Sequence, residues 1–379
     1  MIIQNARIVS ECGVNHGSIG IENGRFIEGA SNGEVLDATG FTLLPGFLDI
    51  HIHGGGGSDT MDATPDALRT ICRTHARSGT TGLLLTTMTQ SREKITAALA
   101  AARQAYEEGA DFCPDGARVL GIHLEGPYIS AKRPGAQPKQ FVRPYDAAEF
   151  ADWLEIAGDA LKLITLAPEE PGADELMRIC RERGIVVSFG HTDATAEQTR
   201  TALDIVAQAH ATHLFNAMPP LHHRNPGILG VVLTDKRMRC EVISDGHHVA
   251  PEIAQLALAA KGDRDVILIT DAMAGAGASD GTYDLGGHAV AVANGKALLP
   301  DGTLAGSVLT MAQAVRNIRA WSGVEWDTLA RLSATNAADA LGMTNKGRIA
   351  TGSDADFVLV DDSLTVHATY VGGQRVFQQ

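Results

Sequence analysis

Disulfide chemistry and cysteine-rich metal modules find little support in this sequence. Its 379 residues include only five cysteines, an odd number, and no two of them form a Cys-x-x-Cys pair. A secreted disulfide scaffold or a cysteine-based zinc module would show such pairs or an even set. We therefore predict reduced thiols in a cytoplasmic protein, at Cys12, Cys72, Cys113, Cys180 and Cys240.

Long apolar segments and an N-terminal targeting signal are also missing. No hydrophobic run approaches the roughly 20 residues that a membrane span requires. Residues 1–9 contain no basic stretch followed by a long apolar one, so we expect no signal peptide. The sequence thus predicts neither membrane insertion nor secretion.

Positive charge is in deficit. Lysine and arginine number 31 against 45 aspartates and glutamates, which gives a net charge of −14. Such an acidic chain repels nucleic acid and anionic membranes, so we predict neither as a partner. An anionic small molecule remains compatible with this charge where local cations offset it.

The middle of the chain alternates between apolar β-type runs and helical patterns. Eight runs predict strands, at 47–52, 82–86, 119–124, 161–166, 185–189, 211–215, 239–244 and 266–270. Helical patterns lie between most of them, for example at 65–78, 92–109, 174–184 and 194–208. Buried strands with helical crossovers predict an α/β fold, the (β/α)8 TIM barrel. A doubly wound sheet is the alternative, but it usually opens with a Gly-x-Gly-x-x-Gly loop, a spacing that the glycines at 54–57 lack.

Both ends of the chain resemble short strands joined by turns. Strand or hairpin patterns occur at 19–27, 354–360 and 370–377, with turn dipeptides at Asn23-Gly24 and Gly372-Gly373. Because chain termini often lie close together, we predict one small β-sandwich domain built from residues 1–45 plus 349–379. Residues 46–348 would then form the barrel.

Imidazoles and carboxylates collect at the predicted C-terminal ends of the barrel strands. These ends meet at one mouth, where the active sites of this fold lie. The residues delivered there are His51, His53, Glu125, His191, His213 and Asp271. A single histidine at a strand end is most often structural, but the joint pattern predicts a divalent metal held by imidazole and carboxylate.

The fourth strand and His123 bear on this metal site. Some barrel hydrolases bridge two metals with a modified lysine at the end of the fourth strand, and residues 162–168 have no lysine at that end. Glu125 is therefore the candidate bridging ligand. His123 would face the same side as Glu125, either to orient a ligand or as a packed interior residue, and the sequence leaves both open.

Longer segments around these positions carry a more specific pattern. They comprise residues 44–54, 123–127, 190–192, 212–219, 224–227, 244–248, 270–272 and 304–307. Together they resemble the N-acetylglucosamine-6-phosphate deacetylases of the amidohydrolase superfamily, over nearly the whole chain.

The resemblance implies a role for each matching residue. Metal ligands would be Glu125, His191 and His213, with His51 and His53 holding a second ion as in some members and Asp271 beside them. Asp271 matches the catalytic acid and base, and His248 the histidine that contacts the acetyl carbonyl. Substrate contacts would come from Ala136, Gln137, Asn216, Ala217, Arg224, His248, Leu304, Ala305 and Gly306. Some members have a histidine in place of Gln137.

The resemblance also implies a reaction and its setting. We expect hydrolysis of N-acetyl-D-glucosamine 6-phosphate to D-glucosamine 6-phosphate and acetate, in amino-sugar catabolism and cell-wall sugar recycling. A cytoplasmic homodimer with one or two divalent ions per chain is expected, with zinc favoured over iron, cobalt or manganese. The alternatives are the 4-epimer, N-acetylgalactosamine 6-phosphate, as substrate, or another barrel amidohydrolase activity. A non-catalytic scaffold would have lost ligands, whereas here the set is complete.

Overall fold

The structure is a computed structural model that describes residues 1–11, 13–29 and 33–379. One predicted thiol, Cys12, lies outside the described residues. The other four cysteines are free and buried. In the described part of the chain, no helix combines the length and the apolarity needed to cross a membrane.

Strands and helices alternate through most of the chain. The strands are β1 (Ile2–Ser10), β2 (Gly13–Glu22), β3 (Arg25–Ile27), β4 (Val35–Asp37), β5 (Thr42–Pro45), β6 (Phe47–Ile52), β7 (Gly54–Gly55), β8 (Ser58–Asp59), β9 (Thr80–Thr86), β10 (Arg118–Glu125), β11 (Leu161–Leu166), β12 (Val186–Phe189), β13 (Ala209–Ala211), β14 (Met238–Ile243), β15 (Val266–Ile269), β16 (Gly281–Leu285), β17 (His288–Ala293), β18 (Lys296–Leu298), β19 (Phe357–Val360), β20 (Val366–Val371) and β21 (Gln374–Gln378). The helices are α1 (Pro65–Ala76), α2 (Arg92–Glu108), α3 (Ala147–Ala157), α4 (Ala173–Arg183), α5 (Ala196–Val206), α6 (Gly227–Thr234), α7 (Pro251–Lys261), α8 (Met311–Ser322), α9 (Trp326–Ala330) and α10 (Asn336–Ala340). A π-helical turn, Arg331–Thr335, joins α9 to α10.

Eight parallel strands form the predicted barrel, in the order β6, β9, β10, β11, β12, β13, β14 and β15. The first and last strands meet at their C-terminal ends. There the amide of Asp271 donates to the carbonyl of His51 at 2.9 Å, and that of His53 donates to the carbonyl of Ala272 at 2.9 Å. These bonds close the cylinder at its mouth, and they fix two predicted metal ligands beside Asp271. The predicted fold class is confirmed.

Side-chain alternation divides the barrel strands between two cores. Inward-facing residues such as Leu48, Ile50 and Ile267 fill the cylinder. Their outward-facing neighbours, such as Leu83 and Leu85, pack against the helices. Burying each such side chain contributes about 1.5–3 kcal/mol, so the rigid frame around the mouth is stabilised from both sides.

Most predicted elements appear within two residues of their predicted ends, but the sixth strand does not. We predicted it at 211–215, whereas β13 spans Ala209–Ala211. The prediction was wrong because the chain turns instead of continuing: His213 and Phe215 have φ angles of 32° and 78°. A left-handed backbone cannot extend a strand, although the apolar composition there favours one.

Both termini contribute to a second eight-stranded sheet. Its order is β21, β20, β19, β5, β1, β2 and β3, with β4 beside β1. The two predicted hairpins are present: Asn23-Gly24 joins β2 to β3 and Gly372-Gly373 joins β20 to β21, and all four residues have positive φ. The sheet has its own apolar core, in which Phe357 stacks on Tyr370 with ring centroids 4.4 Å apart.

A three-stranded antiparallel sheet, β16 to β18, follows the last barrel strand, where the sequence predicted no element. Its residues pack in a small apolar cluster together with Met88, Met273 and Ala305. Leu285 of β16 also lines the cavity at the barrel mouth. The insertion therefore forms part of the wall of the site described below.

Candidate active site

Four imidazoles converge on one buried carboxylate at the barrel mouth. Glu125, the last residue of β10, has its Oε1 atom 3.4, 3.3 and 3.4 Å from the Nε2 atoms of His51, His191 and His213. Its Oε2 atom lies 3.1 Å from Nε2 of His53. All five residues are buried. The strand ends thus bring together five candidate ligands that the sequence predicted from four separate segments.

Hydrogen bonds on the far side of two rings fix which nitrogen faces this centre. Nδ1 of His51 lies 3.0 Å from Oε2 of Glu241, and Nδ1 of His191 lies 3.0 Å from the carbonyl oxygen of Arg133. Both partners accept hydrogen bonds, so each Nδ1 carries the proton and donates. Each Nε2 therefore presents a lone pair toward Glu125, which is the form that ligates a metal.

Glu241 is a functional residue that the sequence analysis missed. It lies within β14 on the inward face, fully buried, and its Oε2 also accepts a hydrogen bond from the amide of His213 at 3.3 Å. One carboxylate therefore supports ligands from two strands. A glutamate in the middle of a predicted barrel strand was the available signal, because a buried charge requires a partner.

His123 packs in the barrel interior beside the ligands. Its Nε2 lies 2.7 Å from the hydroxyl of Thr165, and its ring meets that of His51 edge to face with centroids 4.7 Å apart. Burial holds the pKa of His123 well below its ordinary value, so the ring is neutral. Of the two roles left open by the sequence, interior packing against a ligand is the one that these contacts support.

The donor set fits a divalent cation. Within the described residues, no hydrogen bond reaches Nε2 of His51 or Oε1 of Glu125, although both atoms are buried. Two groups have ligand atoms within 4.8 Å of one another: His51, His53 and Glu125, and Glu125, His191 and His213. Imidazole nitrogen and carboxylate oxygen are ligands of zinc and related ions. Glu125 belongs to both groups, as expected for a bridging ligand.

Asp271 lies beside these ligands, just beyond the end of β15. Its Oδ1 atom is 3.5 Å from Nε2 of His51 and 3.3 Å from Nε2 of His53. Burial raises the pKa of Asp271, but the positive charge of His51 and His53 in their protonated forms outweighs this effect and lowers it to about 2. A divalent ion held by the same rings in their neutral form would act in the same direction. Asp271 is therefore ionised at neutral pH and can accept a proton.

His248 forms a dyad with Asp245 on the loop after β14. Nδ1 of His248 donates to Oδ2 of Asp245 at 2.7 Å, and Oδ1 of Asp245 accepts from the amides of His247 and His248. Burial raises the pKa of Asp245, but His248 and these amides hold it below its ordinary value. The dyad fixes the ring with Nε2 free, and His248 lines the active-site cavity.

This cavity has a volume of about 190 Å³. Most residues of the predicted site line it: His53, Glu125, Ala136, Gln137, His191, His213, Asn216, Ala217, His248, Asp271, Leu304 and Gly306. Three predicted residues do not. His51 lies behind the cavity wall, Ala305 is buried in the apolar cluster under β16 to β18, and Arg224 is exposed with its guanidinium 2.9 Å from Nε2 of His223.

Gln137 combines a place in the cavity wall with a contact to the bridging carboxylate. Its Nε2 donates to Oε2 of Glu125 at 2.7 Å, and its Oε1 accepts from the amide of Thr89 at 2.8 Å. The side chain is thus held at both ends. Gln137 orients Glu125 in addition to facing the substrate cavity, a role that the sequence did not indicate.

Several residues of the site have strained backbones. The φ angles of His191, His213, Ala217 and Asp271 are 47°, 32°, 51° and 50°. Left-handed conformations of this kind cost about 1–3 kcal/mol each and persist where surrounding structure enforces them. They let the chain turn sharply at each strand end, so that the side chains point into the mouth.

Comparisons with known proteins agree with this geometry. Residues 42–376 match the model of the Amidohydrolase family. The chain belongs to the amidohydrolase family.

Individual relatives of this amidohydrolase are similar over nearly their full length. N-acetylglucosamine-6-phosphate deacetylase of Bacillus subtilis (strain 168) is 42% identical over 388 residues, which cover 100% of this chain and 97% of that protein. N-acetylgalactosamine-6-phosphate deacetylase of Escherichia coli O157:H7 is 38% identical, with 88% and 87% covered. A structure of a mutant N-acetyl-D-glucosamine-6-phosphate deacetylase from Mycobacterium smegmatis, in complex with N-acetyl-D-glucosamine-6-phosphate, superposes with a TM-score of 0.92 at 33% identity, with 100% and 99% covered. The family resemblance found in the sequence is confirmed.

Proposed function

We propose that this amidohydrolase hydrolyses N-acetyl-D-glucosamine 6-phosphate to D-glucosamine 6-phosphate and acetate, in amino-sugar catabolism and cell-wall sugar recycling. The observation that carries the proposal is the convergence of His51, His53, His191 and His213 on Glu125, with ionised Asp271 beside them. The similarity to the Bacillus subtilis and Mycobacterium smegmatis enzymes supports the choice of substrate.

Amide hydrolysis needs a proton acceptor for the attacking water and a proton donor for the amine that leaves. Asp271 supplies both functions from one position, because its carboxylate faces the cavity and is ionised before the reaction. It accepts a proton from water as the carbon–oxygen bond forms. It then delivers this proton to the sugar nitrogen as the carbon–nitrogen bond breaks.

Charge develops on the acetyl oxygen when water adds to the carbonyl. His248 is placed to donate to this oxygen from Nε2, because its Nδ1 proton is engaged by Asp245. Donation from Nε2 requires a proton on both ring nitrogens, and the carboxylate of Asp245 holds the ring in the orientation that this contact needs. A divalent ion bound by the five ligands would supply a Lewis acid that polarises the carbonyl and acidifies water.

The phosphate requires a cation in this acidic chain, and Arg224 is the residue we propose. Its segment follows Asn216 and Ala217, which line the cavity, and His222 and His223 adjoin it. A guanidinium donates two parallel hydrogen bonds to a phosphate. We further propose that Leu304 and Gly306 of the cavity wall close over the bound sugar, with Ala305 anchoring their loop in the apolar cluster.

The direct test is acetate release from N-acetyl-D-glucosamine 6-phosphate and from its 4-epimer, with the metal content of the same sample measured. We expect turnover on the first substrate that scales with bound metal. Glu125→Ala should lose metal and activity together. Metal-replete protein that turns over neither substrate would refute the proposal.

N-acetyl-D-galactosamine 6-phosphate is the second candidate substrate. The observation favouring it is the 38% identity to the Escherichia coli O157:H7 relative, whose name specifies this epimer. The two sugars differ by one inverted hydroxyl group. A higher kcat/KM for the galacto sugar in the same assay would reverse the assignment.

We make further proposals on the native ion, the oligomeric state, the cellular location and the domain bounds. We propose zinc as the native ion, with one or two ions per chain, because imidazole and carboxylate ligands suit it. We propose a homodimer, as the resemblance to the deacetylases implies. Four free, buried thiols support a cytoplasmic location. We also propose that residues 1–45 plus 349–379 form one domain and residues 46–348 the other.

A further inference from the structure

A second cavity lies at the opposite end of the barrel from the active site. Its volume is about 220 Å³. Val186, His210, Arg239 and Asp265 line it, and they lie at the N-terminal starts of four adjacent strands, β12 to β15. The active-site ligands lie at the C-terminal ends, so this floor cavity is separated from the mouth by the packed interior of the barrel.

Cations without carboxylate partners face the floor cavity. Arg181, Lys236 and Arg239 line it, and none of them takes part in an ion pair within 4.0 Å among the described residues. The two acidic residues in the lining already have partners. Asp265 lies 3.9 Å from Lys261, and Asp339 pairs with Arg348.

Arg237, another cation in the lining, is paired with two carboxylates. Its guanidinium lies 2.8 Å from Asp204 and 2.7 Å from Asp235. By contrast, among the residues that the structure describes, the guanidinium of Arg239 donates only to the backbone carbonyl of Asn336, at 3.2 Å. In a chain of net charge −14, unpaired cations at one opening form a local positive field that attracts a small anion.

His210 is a buried imidazole in the wall of this cavity. It is only 4% exposed, and its Nδ1 atom has no hydrogen-bond partner in the described structure. Its neighbours Ala209 and Ala211 face outward into the core between barrel and helices, so His210 faces inward and lines the cavity. Nδ1 itself is closed to solvent, so the part of the ring that lines the cavity is what a bound anion would contact.

We propose that the floor cavity binds a small phosphorylated anion, held by Arg239, Lys236 and Arg181 with His210 completing the contacts. Phosphate chemistry fits because guanidinium groups donate to phosphate oxygens in parallel pairs. The volume accommodates a phosphate or a small phosphate monoester. The site is distinct from the catalytic centre and does not depend on the proposed reaction.

Calorimetric titration with inorganic phosphate, in a buffer without other anions of this class, tests the proposal. Arg239→Gln and Lys236→Gln should each weaken phosphate binding at least about tenfold, because each removes a charge-assisted contact. Arg200→Gln is the matched control, since Arg200 is an exposed cation on α5 without an ion pair in the described part of the chain. It should bind phosphate as the parent does. Lys236 is exposed, so its substitution preserves the fold even if that of Arg239 does not.

A second measurement distinguishes phosphate binding at the floor cavity from phosphate binding at the catalytic site. Arg239→Gln and Lys236→Gln should leave KM for N-acetyl-D-glucosamine 6-phosphate unchanged, and Arg224→Ala should retain phosphate binding at the floor. Parent-like phosphate affinity in both floor variants would overturn the inference. The inference would also be overturned if Arg224→Ala abolished phosphate binding while the floor variants retained it, because that binding would belong to the active site.

Discussion

Glu241→Gln is the substitution that most directly tests how the metal centre is supported. The amide can still accept hydrogen bonds from Nδ1 of His51 and the amide of His213, but it carries no charge. Its NH2 group would occupy the position of Oε1, which has no partner among the described residues. The variant therefore weakens ligand orientation without removing a ligand.

The expected size of the effect follows from these contacts. A hydrogen bond to a charged group contributes about 1.5–3 kcal/mol and a neutral one about 0.5–1.5 kcal/mol. Exchanging one for the other costs about 1–1.5 kcal/mol, or roughly tenfold in affinity. Residues that orient metal ligands typically change metal affinity by about 10- to 100-fold. We therefore expect the Kd of the ion bound by His51 to rise at least about tenfold.

The assay is metal affinity by competition with a chelator, together with the number of ions retained after dialysis. Glu149→Gln is a matched control, because Glu149 is a buried glutamate that accepts from Tyr128 and Arg143 away from the site. It should lower stability to a similar degree and leave metal affinity unchanged. Parent-like metal affinity in Glu241→Gln would show that His51 does not depend on this carboxylate.

Four further predictions follow from the same structure. Asp271→Asn should lower kcat roughly 10²- to 10⁴-fold with metal content retained, and activity within a few-fold of the parent would assign proton transfer to another group. Arg224→Ala should raise KM for the phosphorylated sugar at least about tenfold more than for the unphosphorylated one, and equal losses would refute phosphate recognition. Asp245→Asn should lower kcat more than it raises KM, because it weakens the charge-assisted hydrogen bond that orients His248, and an unchanged kcat would exclude that role. Burial lowers the pKa of His75 from 6.5 to about 4. As the pH falls through this range, the histidine takes up a proton in the unfolded chain but not in the folded one. The free energy of unfolding therefore falls by up to about 3 kcal/mol. His75→Gln should therefore lose less unfolding free energy than the parent between pH 7.5 and pH 5, in denaturant titrations at both values.

Local sequence was sufficient to predict the barrel and to bring its candidate metal ligands to one mouth. Buried parallel strands are continuous apolar runs, and a strand such as β6 was predicted with the ends that the structure shows, 47–52. The ligands could be predicted because each lies at or just after a strand end, and the fold brings all such ends to one mouth. Alternation alone put His51 and His53 on one side.

Backbone turns and contacts across the chain were decided only by tertiary structure. The apolar segment 211–215 favours a strand by composition, yet the fold forces His213 and Phe215 into left-handed conformations that end β13 early. Glu241 lies inside a strand, ahead of the segment 244–248 and outside every segment that carries the family resemblance. Its partnership with His51 spans 190 residues of sequence and exists only because the barrel closes.

The amino-acid sequence by itself thus determined the fold class, the position of the mouth and the set of candidate ligand residues, because each depends on periodicity and strand ends within one segment. Only the tertiary structure decided how these ligands are held. The bond from Gln137 to Glu125, the dyad of His248 with Asp245 and the cationic floor around Arg239 depend on side-chain directions and loop paths. These are set by packing among distant segments, which no local pattern records.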